Sequence, residues 1–335
     1  EVVLEVIPHI GYMHRCFEKH CESLTYQQII PYVDRLDYLG AMNNEHAYAM
    51  AVEHLLGLTG QLHPRVEYLR VLAAELNRIA SHLLAIGAYG IDLGAVTPFL
   101  WCLRDRELIL NLLEWLSGAR LLYNYIWIGG LFADAPPGFE ERCLEFVDYF
   151  APKLDELERL LAENPIFVAR TANVGVLPLQ VAIQYGVTGP ALRASGLAWD
   201  LRKVDGYSVY PELEFDVPTG AGVMGALGDC WDRFYVRLAE LRTSAGLVRQ
   251  CARRLLDVHR RTPDFDARAA CPRKVRPVLP EGYYRAENPR GELGFYIIAQ
   301  EQKDVPLRVK ARGPSFSNLS VLPELCRGAL VADLV

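Results

Sequence analysis

Apolar residues that recur every three or four positions dominate residues 1–261 of this chain. In the clearest segment Pro64 stands where a helix begins, and the apolar positions that follow are Leu69, Leu72, Leu76, Ile79 and Leu83. Similar patterns predict helices over residues 36–56, 97–118, 137–164 and 229–258, with Thr97 as an N-cap. Several of these segments are apolar on more than one face, which is typical of helices buried in a bundle.

Two other regions have the pattern of strands. Residues 2–7 are rich in β-branched side chains and end at Pro8, which predicts a strand. Residues 294–299 and 307–312 alternate between apolar and polar side chains. We therefore predict a mainly α fold with a small β appendage (α+β), in which residues 1–261 form a helical core domain with an N-terminal strand. Residues 262–335 are predicted to form a linker and a small β region, and we expect the chain to be truncated at both ends.

Charge and composition exclude several classes of function. The formal net charge of −6 gives no general attraction to nucleic acid, so we expect no nucleic-acid partner. The longest nearly uncharged apolar stretch, Leu121 to Ala133, is shorter than the roughly 20 residues of a transmembrane helix, and no transmembrane segment is predicted. The 8 cysteines include no C-x-x-C pair. This spacing predicts free thiols and no zinc, nickel or iron–sulfur ligation by this chain.

One segment, Gly220-Ala-Gly-Val-Met-Gly225, matches the G-x-G-x-x-G pattern of dinucleotide-binding proteins. That motif requires a buried strand before it, a helix that opens inside it and an acidic residue about 20 residues later. Here the preceding residues include Pro218 and two acids, and the residue about 20 positions later is predicted to be in a helix. We therefore predict a flexible glycine loop rather than a nucleotide site.

Five polar residues remain as candidates for function. Glu75, Arg78 and His82 fall on one side of the predicted helix at 64–89, where they form either structural ion pairs or a proton relay. Asp92 is either a turn residue before the next helix or a functional acid. Tyr38 is either a core tyrosine with a satisfied hydroxyl or a functional phenol. Spacing alone leaves these alternatives open.

A family resemblance covers nearly the whole chain. The segments that carry it include Pro8-His-Ile-Gly-Tyr-Met-His14-Arg15, Asp34-Arg-Leu-Asp37-Tyr38, Arg78-Ile-Ala-Ser-His82, Asp92-Leu-Gly-Ala-Val-Thr-Pro98, Trp199-Asp-Leu-Arg-Lys203 and Arg290-Gly-Glu-Leu-Gly294. In their order and density these segments resemble the 49-kDa-type subunit of proton-pumping NADH:quinone oxidoreductase (respiratory complex I). That family is related to the large subunit of nickel–iron hydrogenases. The resemblance implies a hydrogenase-like helical bundle whose metal cavity has become a quinone chamber, because both C-x-x-C pairs are missing.

The resemblance also implies roles for particular residues. Tyr38 matches the tyrosine that donates a hydrogen bond to one quinone carbonyl, and a phenol is protonated at neutral pH. Asp92 matches the carboxylate that orients a histidine for the other carbonyl, and that histidine is on an N-terminal loop outside this sequence. Arg15 matches a position beside the terminal iron–sulfur cluster of a partner subunit, and we expect His14, the residue before it, to be a cofactor-binding residue as well. We expect Tyr38 and Asp92 to line one cavity.

The implied assembly is a membrane-associated oxidoreductase coupled to proton translocation. The partners are an iron–sulfur small subunit, other peripheral-arm subunits and a membrane-arm subunit at the quinone entrance. This chain is expected to bind no cofactor of its own, with quinone as substrate and NAD bound elsewhere in the holoenzyme. It is expected to lie as a peripheral protein on the cytoplasmic side of the cell membrane. The alternatives are a hydrogenase-related subunit and a non-redox scaffold.

Two positions depart from the family pattern. Leu122 stands where the family has a histidine near the cluster, and it cannot ionise. Trp127 stands where an arginine is common. The region 259–289 is also shorter than in the family. These departures bear on whether proton-coupled tuning of the cluster is kept.

Overall fold

The computed structural model describes residues 1–262 and 265–334. Five long helices form the body of the fold: α3 (Ala41–Leu56), α4 (Pro64–Asp92), α5 (Val96–Ser117), α6 (Phe139–Leu161) and α11 (Cys230–Arg261). The shorter helices are α1 (Phe17–Cys21), α2 (Tyr26–Val33), α7 (Pro165–Thr171), α8 (Leu179–Gln184), α9 (Pro190–Ala194), α10 (Leu201–Val204), α12 (Pro314–Leu319) and α13 (Leu322–Cys326).

Helix α4 is the centre of the bundle. It packs along α5 on one side and along α11 on another, and α11 also packs on α6. Nearly every residue from Val66 to Leu83 is buried, because helices surround this segment. The sequence specifies its start locally, since His63 caps the helix by accepting from the N–H of Arg65 and Pro64 occupies the first turn. The predicted helices are confirmed, although α3 begins at Ala41 rather than at residue 36, and α5 begins at Val96 with Ala95 as N-cap rather than Thr97.

The β appendage is a three-stranded antiparallel sheet. Strands β3 (Glu281–Asn288), β4 (Gly291–Ile298) and β5 (Arg308–Arg312) lie in that order, and a short hairpin of β1 (Ile126–Trp127) and β2 (Gly130–Leu131) stands apart. The sheet packs on α3, where the ring of Phe295 meets Tyr48 edge-on at 5.5 Å. This arrangement confirms the mainly α fold with a small β appendage. The division at residue 262 stays a prediction.

Two strand predictions differ from the structure. Residues 2–7 form no strand: Val2 makes one isolated bridge to Leu330, and Leu4 is 85% exposed. β-branched composition is insufficient here because no strand among the described residues pairs with this segment. Conversely, β3 lies in a region that showed no alternation, and its pairing with β4 holds it extended.

Candidate functional site

Tyr38 lies at the surface, at the start of a 3₁₀ turn that ends at Gly40. Its side chain is 46% exposed, so the interpretation as a core tyrosine is wrong. The turn is fixed on α4 because Asn77 Nδ2 donates to the carbonyl of Leu39 at 3.2 Å. A Cβ at Gly40 would lie 3.0 Å from Nδ2 of Asn288, so only glycine fits this close approach without a shift. The phenol is therefore presented to solvent from a tightly held backbone.

An ion pair holds the same turn from the other side. Arg290, at the tip of the β3–β4 hairpin, is 2.9 Å from Oδ2 of Asp37 and donates to Oγ of Ser81 at 2.8 Å. The hairpin, α4 and the Tyr38 turn thus meet at one guanidinium group. Arg290 belongs to a segment that carried the family resemblance, but spacing gave no role for it.

His14 and Arg15 lie together on one cavity. This cavity of about 590 Å³ also includes Leu36 and Tyr32 from the end of α2 and the segment that follows it. His14 Nδ1 accepts from the backbone N–H of Cys16 at 3.3 Å, which orients the imidazole locally. Leu36 is two residues before Tyr38 in the chain. The structure therefore places the segment that contains His14 and Arg15 close to the Tyr38 turn.

Asp92 is the last residue of α4 and is exposed. It borders a second cavity, of about 390 Å³, between the end of α4 and the start of α11. Arg233 and Arg237 line the same cavity, and each donates to a backbone carbonyl at 2.6 Å. The cavity thus combines one carboxylate with two guanidinium groups. Burial lowers the pKa of Arg237 to about 10, although Glu240 opposes the effect.

Tyr38 and Asp92 do not line the same cavity, contrary to expectation. Tyr38 is absent from the cavity at Asp92. The Tyr38 turn contacts α4 at Asn77, and 92 − 77 gives 15 residues between that contact and Asp92. At 1.5 Å per residue this corresponds to about 22 Å along the helix.

The polar stripe on α4 forms buried ion pairs. Glu75 accepts from Arg78, from Arg202 at 3.1 Å, from the hydroxyl of Tyr210 at 2.6 Å and from Ser244 at 2.6 Å. Burial favours the neutral acid, but Arg78 and Arg202 lower the pKa of Glu75 to about 2. The carboxylate stays ionised and fully bonded, so structural pairing is confirmed for Glu75 and Arg78.

A second buried group surrounds Arg193. Its guanidinium contacts Oε1 of Glu240 at 2.7 Å and Oε1 of Glu287 at 2.8 Å, and Asp200 lies at 3.6 Å. Oε2 of Glu240 is 2.8 Å from Nε2 of His82. This group connects α9, α11 and β3 through the protein interior. His82 is therefore also part of a structural network.

Candidate cofactor positions are few. Among residues 1–262 and 265–334, no three His, Cys, Asp or Glu side chains converge as metal ligands. All 8 cysteines are free, and Cys102 and Cys143 are buried inside helices as predicted. The Gly220–Gly225 loop follows no strand and contains no helix, and Asp232 accepts from the N–H groups of Gly222 and Gly228. No helix in the described part of the chain has the length and hydropathy to cross a membrane.

Comparison with known proteins identifies the family. The model of the family described as "Respiratory-chain NADH dehydrogenase, 49 Kd subunit" matches residues 92–335. A D-type subunit of NADH-quinone oxidoreductase from Cytophaga hutchinsonii is 60% identical over 335 residues, which cover 100% of this chain and 86% of that protein. The D-type subunit of the same enzyme from Amoebophilus asiaticus is 62% identical, and that from Chlorobaculum tepidum is 56% identical, each over 100% of this chain and 83% and 82% of the relative. The chain therefore belongs to the family of the 49 Kd subunit of respiratory-chain NADH dehydrogenase, which confirms the expectation of an oxidoreductase subunit.

Proposed function

We propose that this chain forms one wall of the chamber in which an NADH-quinone oxidoreductase reduces quinone, and that the reduction is coupled to proton translocation. In this proposal NADH binds to another subunit, and electrons reach the chamber through the terminal iron–sulfur cluster of a small partner subunit. The chain lies on the cytoplasmic side of the membrane as a peripheral protein. Its other neighbours are peripheral-arm subunits and a membrane-arm subunit at the quinone entrance.

The observation that carries the proposal is the exposed phenol of Tyr38 on a backbone fixed from two sides. Reduction of a quinone to a quinol adds two electrons and two protons, so each carbonyl oxygen needs a hydrogen-bond donor that can deliver a proton. Tyr38 supplies such a donor at the surface. Asn77 and the Asp37–Arg290 ion pair hold the turn, which reduces the entropy lost when the donor meets its substrate.

His14 and Arg15 supply the second part of the chamber. They line the cavity that also includes Leu36, which is two residues before Tyr38 in the chain. A cation beside a redox centre stabilises the reduced, more negative state by Coulomb attraction. We therefore assign this cavity to the docking surface of the iron–sulfur subunit, with Arg15 closest to the cluster.

Asp92 acts as a positioning residue in this proposal. A carboxylate that accepts from one imidazole nitrogen fixes the tautomer and direction of the other nitrogen. A phenol, a quinone ring and an imidazole in series would span the separation of about 22 Å along α4 between Asn77, which holds the Tyr38 turn, and Asp92. In this proposal the imidazole belongs to the N-terminal loop of the family, outside this sequence.

The test is Tyr38→Phe in the assembled complex. We expect quinone reduction to fall about 100-fold, because general acids contribute roughly that factor or more. NADH oxidation with an artificial acceptor upstream of the quinone should be retained, as should assembly. The matched control is Tyr149→Phe, since Tyr149 is 37% exposed on α6. Unchanged quinone reduction in Tyr38→Phe would support the scaffold alternative, and stoichiometric nickel in the purified chain would support a hydrogenase.

A further inference from the structure

Residues 265–280 form a strap that lies on the surface of the bundle and connects α11 to β3. The strap contains no helix or strand, but contacts with other elements hold its backbone. Nε2 of Gln27, on α2, donates to the carbonyl of Pro272 at 3.0 Å. Val275 is fully buried, and its N–H donates to the carboxylate of Asp304 at 2.8 Å. The strap is therefore fixed in position although it is irregular.

The strap presents cations to solvent. It contains four Lys or Arg and one Asp, whereas the whole chain has a formal net charge of −6. Arg273, Lys274 and Arg276 are exposed on either side of the buried Val275. In the part of the chain that the structure describes, no carboxylate lies within ion-pairing distance of these three side chains. Their charges are therefore not neutralised within the described part of this chain.

The cations of the neighbouring sheet differ, because each contacts a carboxylate. Arg285 is 2.7 Å from Asp205, and Lys310 is 2.9 Å from Glu18. The other cations of the sheet and its hairpin that contact carboxylates are Arg290, Arg308 and Arg312. Acidic side chains are thus within reach of the sheet but not of the three cations on the strap. The unpaired charge is a local property of the strap.

Arg268, near the start of the strap, is held on two aromatic rings. Its guanidinium carbon lies 5.1 Å from the ring centre of Trp127 and 4.8 Å from that of Phe132, and its Nε donates to the carbonyl of Phe132. The N–H of Leu131 donates to the carbonyl of Ala267 at 3.0 Å, which fixes the strap to the β1–β2 hairpin. Arginine and aromatic side chains held in this way are typical of the energetic centres of protein interfaces.

Apolar side chains continue this surface at the other end of the strap. Val278 is 72% exposed and Leu279 is 40% exposed, and their N–H groups donate to the carbonyl of Leu55 at 2.9 and 3.1 Å. Polar groups around apolar contacts are typical of interfaces between proteins. Anionic lipids are bound instead by clusters of roughly four to eight Lys or Arg, more than the three unpaired cations here. The surface therefore fits a protein better than a membrane.

We propose that the strap is the docking surface for an acidic patch on another subunit of the peripheral arm. Carboxylates of that subunit pair with Arg273, Lys274 and Arg276, and its apolar side chains cover Val278. Because the strap is fixed before the partner binds, little conformational entropy is lost on docking. This inference rests on the proposed assembly with other peripheral-arm subunits.

The triple variant Arg273→Gln, Lys274→Gln and Arg276→Gln tests the proposal in the purified complex. An exposed ion pair contributes a factor of roughly two in affinity, so loss of three should weaken the contact about 10-fold. The variant chain should leave the complex at a lower NaCl concentration than the wild-type chain, as measured by size-exclusion chromatography. The substituted side chains are exposed, so the fold itself should be unaffected.

The matched control removes three positive charges from α6, with Arg142→Gln, Lys153→Gln and Arg159→Gln. It changes the net charge of the chain by the same amount, and it should dissociate at the NaCl concentration of the wild type. If the strap variant dissociates at the same concentration as the wild type or as this control, the proposal is overturned.

The amine of Lys274 allows a second test that needs no variant. A water-soluble carbodiimide condenses an amine with a contacting carboxylate into an amide and takes up the water that is lost. Mass spectrometry of the treated complex should find Lys274 joined to an Asp or Glu of another subunit. Absence of such a product would overturn the proposal.

Acetylation of Lys274 by an N-hydroxysuccinimide ester distinguishes a protein partner from lipid. The reaction should be several-fold slower in the detergent-purified complex than after high salt has released the chain. Protection that exists in membranes but is lost in detergent would indicate lipid and overturn the proposal. Failure of the quinone chamber is recognised separately, since it would appear as unchanged quinone reduction in Tyr38→Phe.

Discussion

The buried histidine on α4 makes the stability of the bundle depend on pH. Nε2 of His82 is 2.8 Å from Glu240, whose other oxygen contacts Arg193. Burial lowers the pKa of His82 to about 4, with Arg78 acting in the same direction and Glu240 opposing it. His82 is therefore neutral in the folded protein at neutral pH. Acid should destabilise the fold here, because the unfolded chain binds a proton that the folded chain does not.

The magnitude follows from the two pKa values of His82. An unfolded histidine titrates near 6.5 and the folded one near 4. Between these values the free energy of unfolding falls by about 1.4 kcal/mol for each unit by which the pH is lowered. From about pH 7 to about pH 5 the contribution of His82 is thus a loss of about 2 kcal/mol. The stability that neutral His82 contributes is present above the pKa of histidine in the unfolded chain. It is lost as the pH falls towards the pKa of His82 in the folded protein.

The substitution His82→Gln isolates this contribution. Glutamine keeps a donor towards Glu240 but does not titrate. Hydrogen exchange of α4 amides in the assembled complex gives the opening free energy at about pH 7 and about pH 5. The wild type should lose about 2 kcal/mol more than His82→Gln over this range, whereas the exposed control His9→Gln should behave as the wild type. Equal losses in the wild type and His82→Gln would refute the reasoning.

Further substitutions test other contacts. Arg70→Met should cost about 3–5 kcal/mol in opening free energy because it leaves Glu53 buried without its guanidinium at 2.6 Å, and Glu53→Gln in the same chain should recover part of the loss. Gly246→Ala should stabilise α11 by about 0.5–1 kcal/mol, because a Cβ there meets no other atom. Gly189→Ala should destabilise the protein, because φ of Gly189 is 71° and a Cβ there would lie 2.4 Å from the backbone of the facing hairpin. Arg290→Met should lower quinone reduction several-fold with assembly retained, measured beside Arg290→Lys, which should restore part of the rate.

The sequence predicts the elements whose signals are local. The start of α4 is encoded by Pro64 and by apolar spacing, and the structure has that helix from Pro64 to Asp92. The segment at 2–7 has the composition of a strand but lacks a paired strand among the described residues. Strand β3 shows the opposite case, because its extended form depends on pairing with β4 rather than on alternation. Helix formation is more local than sheet formation, and this difference explains both errors.

The candidate site is less predictable from spacing. Tyr38 and Asp92 were candidates before the resemblance, but spacing left two interpretations open for each, and only the resemblance gave them roles. The contact that holds Tyr38 joins Asp37 to Arg290, which are far apart in the chain. This contact has no signal within a single segment.

The buried ion pairs connect the core to the proposed chamber. Arg193 joins Glu240 on α11 to Glu287 on β3, and the backbone of Glu287 accepts from Arg78 on α4 at 2.6 Å. These contacts fix the hairpin relative to the helices, and the tip of that hairpin carries Arg290. Because Arg290 holds the Tyr38 turn, the direction of the phenol depends on ion pairs that are buried in the core. The buried ion pairs of the core thus supply the rigidity that the proposed proton donor requires.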